Sequence, residues 1–177
     1  GSLLCRSPQE KGPRLAFDHP VLAARCYPRS GNSAGDVVGA ESLAEESIQV
    51  VDVRSDSGDR LVCAWADFSE DKNAVGRRRV LLYFHGNGEL AWQSAAMWAK
   101  EYHMTMGVDA CFFAEYRGYG ASEGRACLCE MQRDLPAMME AVVSCAGGPV
   151  KELFVYGRSI GSISALSFAA QHPTAVT

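Results

Sequence analysis

The chain has 177 residues, 47% of them hydrophobic and 21% charged, and its net charge is -4. That length sets one domain with enough apolar residues to bury a core. The acidic balance excludes the basic face that nucleic-acid binding requires, and no run approaches the ~18–20 apolar residues of a membrane span.

Residues 1–47 lack periodicity and are rich in Pro, Gly, Ser and acidic residues. They read as a loop-rich N-terminal extension, with Gly31-Asn32-Ser33-Ala34-Gly35-Asp36 as a loop tip. Gly1-Ser2 has the look of a cleaved-tag remnant, which leaves the natural start open, and no signal-peptide core follows it. From residue 48 to 177 the character is that of one α/β domain. Residues 48–53 and 61–66 are strand-like, and Ser55-Asp56-Ser57-Gly58-Asp59 between them is a turn signal, so they predict a β-hairpin. Arg77-Arg78-Arg79 reads as a solvated strand entry rather than a binding patch. Residues 80–84 are continuously apolar, as in a parallel strand buried on both faces. Residues 89–103 predict a helix with Leu90, Met97 and Trp98 on its inner face, and residues 110–114 a second buried strand. Residues 127–146 carry the clearest helical period. Pro136 falls inside it, so that helix either kinks or starts late. Gly147-Gly148-Pro149 ends it, residues 152–156 form a third buried strand, and an Ala-rich helix runs from residue 162 to 170. The order predicts an α/β three-layer sandwich, a mostly parallel sheet with helices on both faces.

The seven cysteines are scattered and odd in number. Cys63, Cys111 and Cys145 sit in apolar runs, where a thiol packs as a small hydrophobe. Cys127-Leu128-Cys129 has the wrong spacing for a zinc knuckle. The reading is a reducing compartment, hence the cytoplasm, with no disulfide framework, no metal and no cofactor.

Gly157-Arg158-Ser159-Ile160-Gly161 fits G-x-S-x-G between a strand and a helix, the context of a nucleophile elbow with Ser159 as the catalytic residue. Gly157 and Gly161 omit a Cβ where the turn is crowded, and the opening helix offers free N–H groups beside the serine. The first of these, on Ile160, is placed to donate to the oxyanion of an acyl-transfer intermediate.

Two further motifs close the preceding strands: His85-Gly86-Asn87-Gly88-Glu89 and Glu115-Tyr116-Arg117-Gly118-Tyr119-Gly120-Ala121-Ser122-Glu123-Gly124. In this order the three resemble an α/β-hydrolase over about residues 48–177, and within that superfamily the BEM46-like serine hydrolases, a group that includes depalmitoylases. The resemblance implies an acyl-enzyme on Ser159, ester or thioester substrates, protein depalmitoylation among them, and contact with a membrane surface. It implies that the backbone N–H of Asn87 is the second oxyanion donor, with Gly88 next in line, and that His85 packs or bonds under its own loop with Gly86. Arg117 is expected to pin its loop by hydrogen bonds, and Glu115 to serve structure rather than orient a histidine. Arg158 is either a salt-bridging scaffold residue or a substrate-side cation. Depalmitoylases of this kind carry an N-terminal cysteine cluster, whereas only Cys5 lies near this N-terminus. The other readings are a carboxylesterase or lipase-like enzyme, a peptidase of the same fold, and an inactive scaffold.

The last reading arises because a serine nucleophile needs a base and a carboxylate, which in this superfamily follow the serine. After Ser159 there is no Asp or Glu, and His172 lies about 20 Å away along a helix. His19 and His103 read as surface or loop residues. The sheet is therefore expected to be incomplete on its C-terminal side, with the rest of the hydrolase downstream or in another chain.

Overall fold

The computed structural model describes Tyr27, residues 47–71 and residues 74–176. Strands β1 (Ile48–Arg54) and β2 (Arg60–Asp67) pair antiparallel from Ile48↔Ala66 to Arg54↔Arg60. The Ser55 N–H donates to Asp59 O at 3.0 Å, and Gly58 takes φ 89° to close the predicted hairpin. Strands β3 (Arg79–Phe84), β4 (Ala110–Ala114) and β5 (Glu152–Gly157) complete a sheet of order β1-β2-β4-β3-β5. β2 pairs antiparallel with β4, whereas β3 runs parallel to both β4 and β5. The sheet is thus mixed, with β2 alone reversed. A tight hairpin turn reverses the chain, while each helical crossover returns it in the same direction.

Continuous apolar strands make sense only if both faces are covered, and alternate residues do go to two cores. Val80, Leu82, Phe84, Phe112 and Ala114 face one cluster; Leu81, Tyr83, Cys111 and Phe113 face the other. The second core is covered by helix α1 (Ala91–Met106) through Ala91, Ala95 and Ala99. Here the expected inner face is overturned: Met97 is 65% and Trp98 36% exposed. Small alanines let the helix axis approach the sheet, and bulky residues in their place would hold it off. Only Leu90, just before the helix, is buried as expected.

The first core is covered by α2 (Leu128–Arg133), α3 (Leu135–Cys145) and α4 (Gly161–Gln171). The single period over residues 127–146 is two helices meeting at Asp134, with Pro136 in the first turn of α3. A missing N–H costs nothing there, so proline starts a helix rather than kinking one.

The arginine run is not a solvated entry throughout. Arg78 is 4% exposed and pairs with Asp67, Arg79 pairs with Glu152, and only Arg77, paired with Asp71, lies open. Cys63, Cys111 and Cys145 are free, but Cys129 is disulfide-bonded, against the expectation of no disulfide framework. Disulfide pairing follows proximity in the fold, which sequence spacing does not reveal.

Tyr27 is buried in the first core, its ring edge-on to Tyr119 with centroids 6.5 Å apart. The loop tip at residues 31–36 and His19 lie outside the described residues. Beyond α4 the chain turns and Val176 bridges in parallel to Leu153 of β5, so the sheet remains open on that side. Tyr156, Ile163 and Leu166 on β5 and α4 are exposed. No helix among the described residues is long and apolar enough to cross a membrane.

Candidate functional site

The three motifs meet at the C-terminal ends of β3, β4 and β5. β5 ends at Gly157 and α4 begins at Gly161, so the turn between them has three residues with Ser159 in the middle. Ser159 is exposed and has φ 54°, the left-handed region that a residue with a Cβ seldom occupies. The turn is closed by Gly161 N–H to Arg158 O at 2.9 Å and Ser162 N–H to Ser159 O at 3.0 Å. A Cβ on Gly157 would lie 2.4 Å from Gly161 O, and one on Gly161 would lie 2.2 Å from Phe84 O. Strand, helix and the neighbouring strand end are packed backbone to backbone, so both positions require glycine. Among the described residues no acceptor meets the N–H of Ile160.

The loop after β3 is held from below. His85 is fully buried, with Nδ1 2.8 Å from Gly86 O and Nε2 2.6 Å from Glu115 Oε1. Both ring nitrogens are committed, and neither is left to take a proton from Ser159. Glu115 also accepts the Ala91 N–H at 2.9 Å and the Tyr116 N–H at 3.0 Å. It is structural, yet it does orient a histidine, namely His85. The Tyr116 hydroxyl donates to His85 O at 2.7 Å. Gly86 N–H donates to Glu89 Oε2 at 3.1 Å, and Glu89 N–H returns to Gly86 O at 3.1 Å. Asn87 accepts at Oδ1 from the Tyr119 hydroxyl, and exposed Gly88 has open space around it.

Glu89 also pairs with Arg158. That pair ties the turn that carries Ser159 to the loop after β3.

Arg117 is bonded to partners that sequence reading did not find. It is 4% exposed, and its Nε and Nη2 donate to Asp134 at 2.9 Å and 2.6 Å. Its other bonds go to Ser57 and Asp59 at the hairpin turn, to Glu130 on α2, and to Asp56. Burial alone would lower its pKa, but bonds to Asp134 and Asp56 and the charge of Glu130 outweigh that and hold it above its usual value. Burial raises the pKa of Asp134, and Arg117 opposes that rise. These partners lie far apart in the chain, and no local signal marks them.

The remaining histidines are placed by other contacts. His172 caps the far end of α4, its ring 4.6 Å from Phe168. His103 is neither a loop nor a fully exposed residue. It sits half-buried in the last turn of α1, stacked on Phe68 at 4.6 Å and bonded to Val108 O at 2.7 Å.

The serine aminopeptidase, S33, family profile matches residues 76–177. The chain is 29% identical over 96 residues to the α/β hydrolase domain-containing protein aho-3 of Caenorhabditis elegans, which covers 54% of this chain and 28% of that protein. It is 25% identical over 137 residues to the human α/β hydrolase domain-containing protein 17B, covering 76% of this chain and 44% of that protein. Among solved structures, an α/β hydrolase from Vibrio vulnificus superposes with TM-score 0.66 at 22% identity, over 88% of this chain and 54% of the other. An esterase of Pyrococcus furiosus superposes with TM-score 0.56 at 18% identity, over 79% and 53%. The chain thus spans less than half the length of these two relatives and about half of these two structures. The profile match takes in all three motifs and more than half of the residues, and on that ground the chain belongs to the serine aminopeptidase, S33, family of hydrolases, with an α/β-hydrolase fold.

Proposed function

We propose that this chain is the nucleophile-bearing part of a serine hydrolase that cleaves ester or thioester bonds through an acyl-enzyme on Ser159. The observation that carries the reading is Ser159 at φ 54° between two glycines where no Cβ fits. A non-glycine residue in that region costs roughly 1–3 kcal/mol and persists where the strain serves a function. A scaffold that had lost its chemistry would relax to glycine there.

In the proposed reaction Ser159 Oγ attacks the substrate carbonyl carbon and a base takes the hydroxyl proton. The negative charge that develops on the carbonyl oxygen is met by the N–H groups of Asn87 and Ile160. The leaving alcohol or thiol departs with that proton, and water then cleaves the acyl-serine. The base and its carboxylate are to come from the remainder of the domain, downstream or in another chain. The parallel bridge at Val176 supports a sheet that continues past β5. An acyl-protein thioester at a membrane surface is the substrate class proposed first, with simple carboxylic esters second.

The test is labelling of the complete gene product with a fluorophosphonate, with Ser159→Ala as control, followed by turnover of a palmitoyl-peptide thioester, a short-chain ester and an aminoacyl amide. Labelling that Ser159→Ala abolishes, with thioester turnover fastest, supports the proposal. No labelling of the complete protein sinks it in favour of the scaffold, and turnover confined to the amide would replace the substrate class with peptides.

A further inference from the structure

Asn87 stands between Gly86 and Gly88, so its backbone has glycine freedom on either side. An oxyanion donor has to be fixed before the charge arrives, and bonds from Gly86 to His85 and Glu89 hold the start of the loop. The side chain of Asn87 supplies a further anchor, accepting from the Tyr119 hydroxyl at 2.5 Å.

Tyr119 is itself held in one place. Gly118 and Gly120 flank it at φ 72° and φ 53°, and a Cβ on Gly118 would lie 2.8 Å from Ala126 N. These left-handed turns drive the intervening side chain inward, where it is fully buried. Its ring is enclosed by Tyr116 at 5.4 Å, His85 at 5.7 Å and Tyr27 at 6.5 Å, the last from the segment that precedes the domain. Arg117, one residue before Gly118, locks the same loop to the hairpin and to α2 and α3.

Resting on the serine-hydrolase reading above, we propose that Tyr119 is a positioning residue: its phenol holds the Asn87 side chain and so aims the Asn87 backbone N–H at the oxyanion. The Tyr-Arg-Gly-Tyr-Gly loop then has two jobs. Arg117 anchors the loop to the body of the domain, and Tyr119 carries that anchorage to the donor. Burial pushes the phenol well above its ordinary pKa, so it stays a donor throughout the working range.

The experiment is Tyr119→Phe in the complete gene product, which removes the hydroxyl and keeps the ring. Deleting an oxyanion donor costs about 10²–10³ in rate; loosening one is expected to lower kcat for a short-chain ester about tenfold with KM unchanged. In an Asn87→Ala background the same change is expected to cost under about twofold, because the phenol acts through the missing side chain. A kcat for Tyr119→Phe within about twofold of wild type overturns the proposal, as does an equal loss in both backgrounds. If the wild type turns nothing over and takes no label, the serine-hydrolase reading fails instead. The inference then stands or falls on amide exchange at Gly86 and Glu89, both bonded within the loop. Tyr119→Phe should speed that exchange severalfold while β3 amides are unchanged, and unaltered exchange refutes the positioning role.

Discussion

Replacing Gly161 by alanine separates two opposite expectations for the same residue. Gly161 opens α4, and on helix propensity alone alanine is better by up to about 1 kcal/mol. The tertiary structure reverses the sign. The new methyl would stand 2.2 Å from Phe84 O and 2.7 Å from His85 O, both backbone atoms at the end of β3. The first of these is more than an ångström inside the roughly 3.5 Å separation of non-bonded heavy atoms. Neither atom belongs to a side chain that can swing away, so α4 and β3 must part. Overpacking of this kind costs about 1–3 kcal/mol, and the rigid neighbours put it at the upper end. After the propensity gain, the net loss is about 2 kcal/mol, or roughly 4–8 °C in Tm for a domain of this size. Ser159 rides on the same turn, and a displacement of about 1 Å at a reacting group costs on the order of 10²-fold in rate. Urea and thermal unfolding of Gly161→Ala measure the first effect. Gly88→Ala is the comparison, because nothing lies within 4 Å of a Cβ there. Fluorophosphonate labelling rates of the complete protein measure the second. A Gly161→Ala variant as stable as wild type would refute the backbone-contact reasoning.

Two other outcomes test the strain and the burial described above. Ser159→Gly should remove label and at the same time raise stability by about 1 kcal/mol, since relief of left-handed strain outweighs the added freedom of glycine in the unfolded chain; a less stable variant would show that the turn is not strained. Burial pushes the Cys111 thiol up to about 12 from 9.0 and raises Cys63 in the same direction. A thiol whose folded pKa is raised contributes stability that is complete below the unfolded value and is lost as pH rises towards the folded one. By linkage Cys111 alone costs on the order of 2 kcal/mol at pH 10.5. The urea midpoint should therefore fall between pH 8 and pH 10.5, and by less in Cys111→Ala; equal falls in the two proteins would contradict the assignment.

The strands and their order along the chain were legible because burial on both faces demands runs such as residues 80–84, and the glycine-flanked turn at Ser159 was legible because it is written in five consecutive residues. Pattern was weaker where bulk and closeness compete. α1 turns Ala95 and Ala99 inward and Met97 and Trp98 outward, since approach to the sheet depends on what the facing strands leave room for. The proline in the long helical period marked a start, which only the break at Asp134 reveals.

Local sequence, then, carried what depends on local chemistry: the turn residues, the strand runs, the glycines around Ser159. What depends on pairing at a distance was decided by the tertiary structure. It brought Asp56, Asp59, Glu130 and Asp134 around Arg117, Glu115 to His85, Glu89 to Arg158 and Tyr119 to Asn87. The reason is physical. A buried charge or polar group must find its partner wherever the folded chain presents one, and that choice is made by packing, not by spacing along the chain.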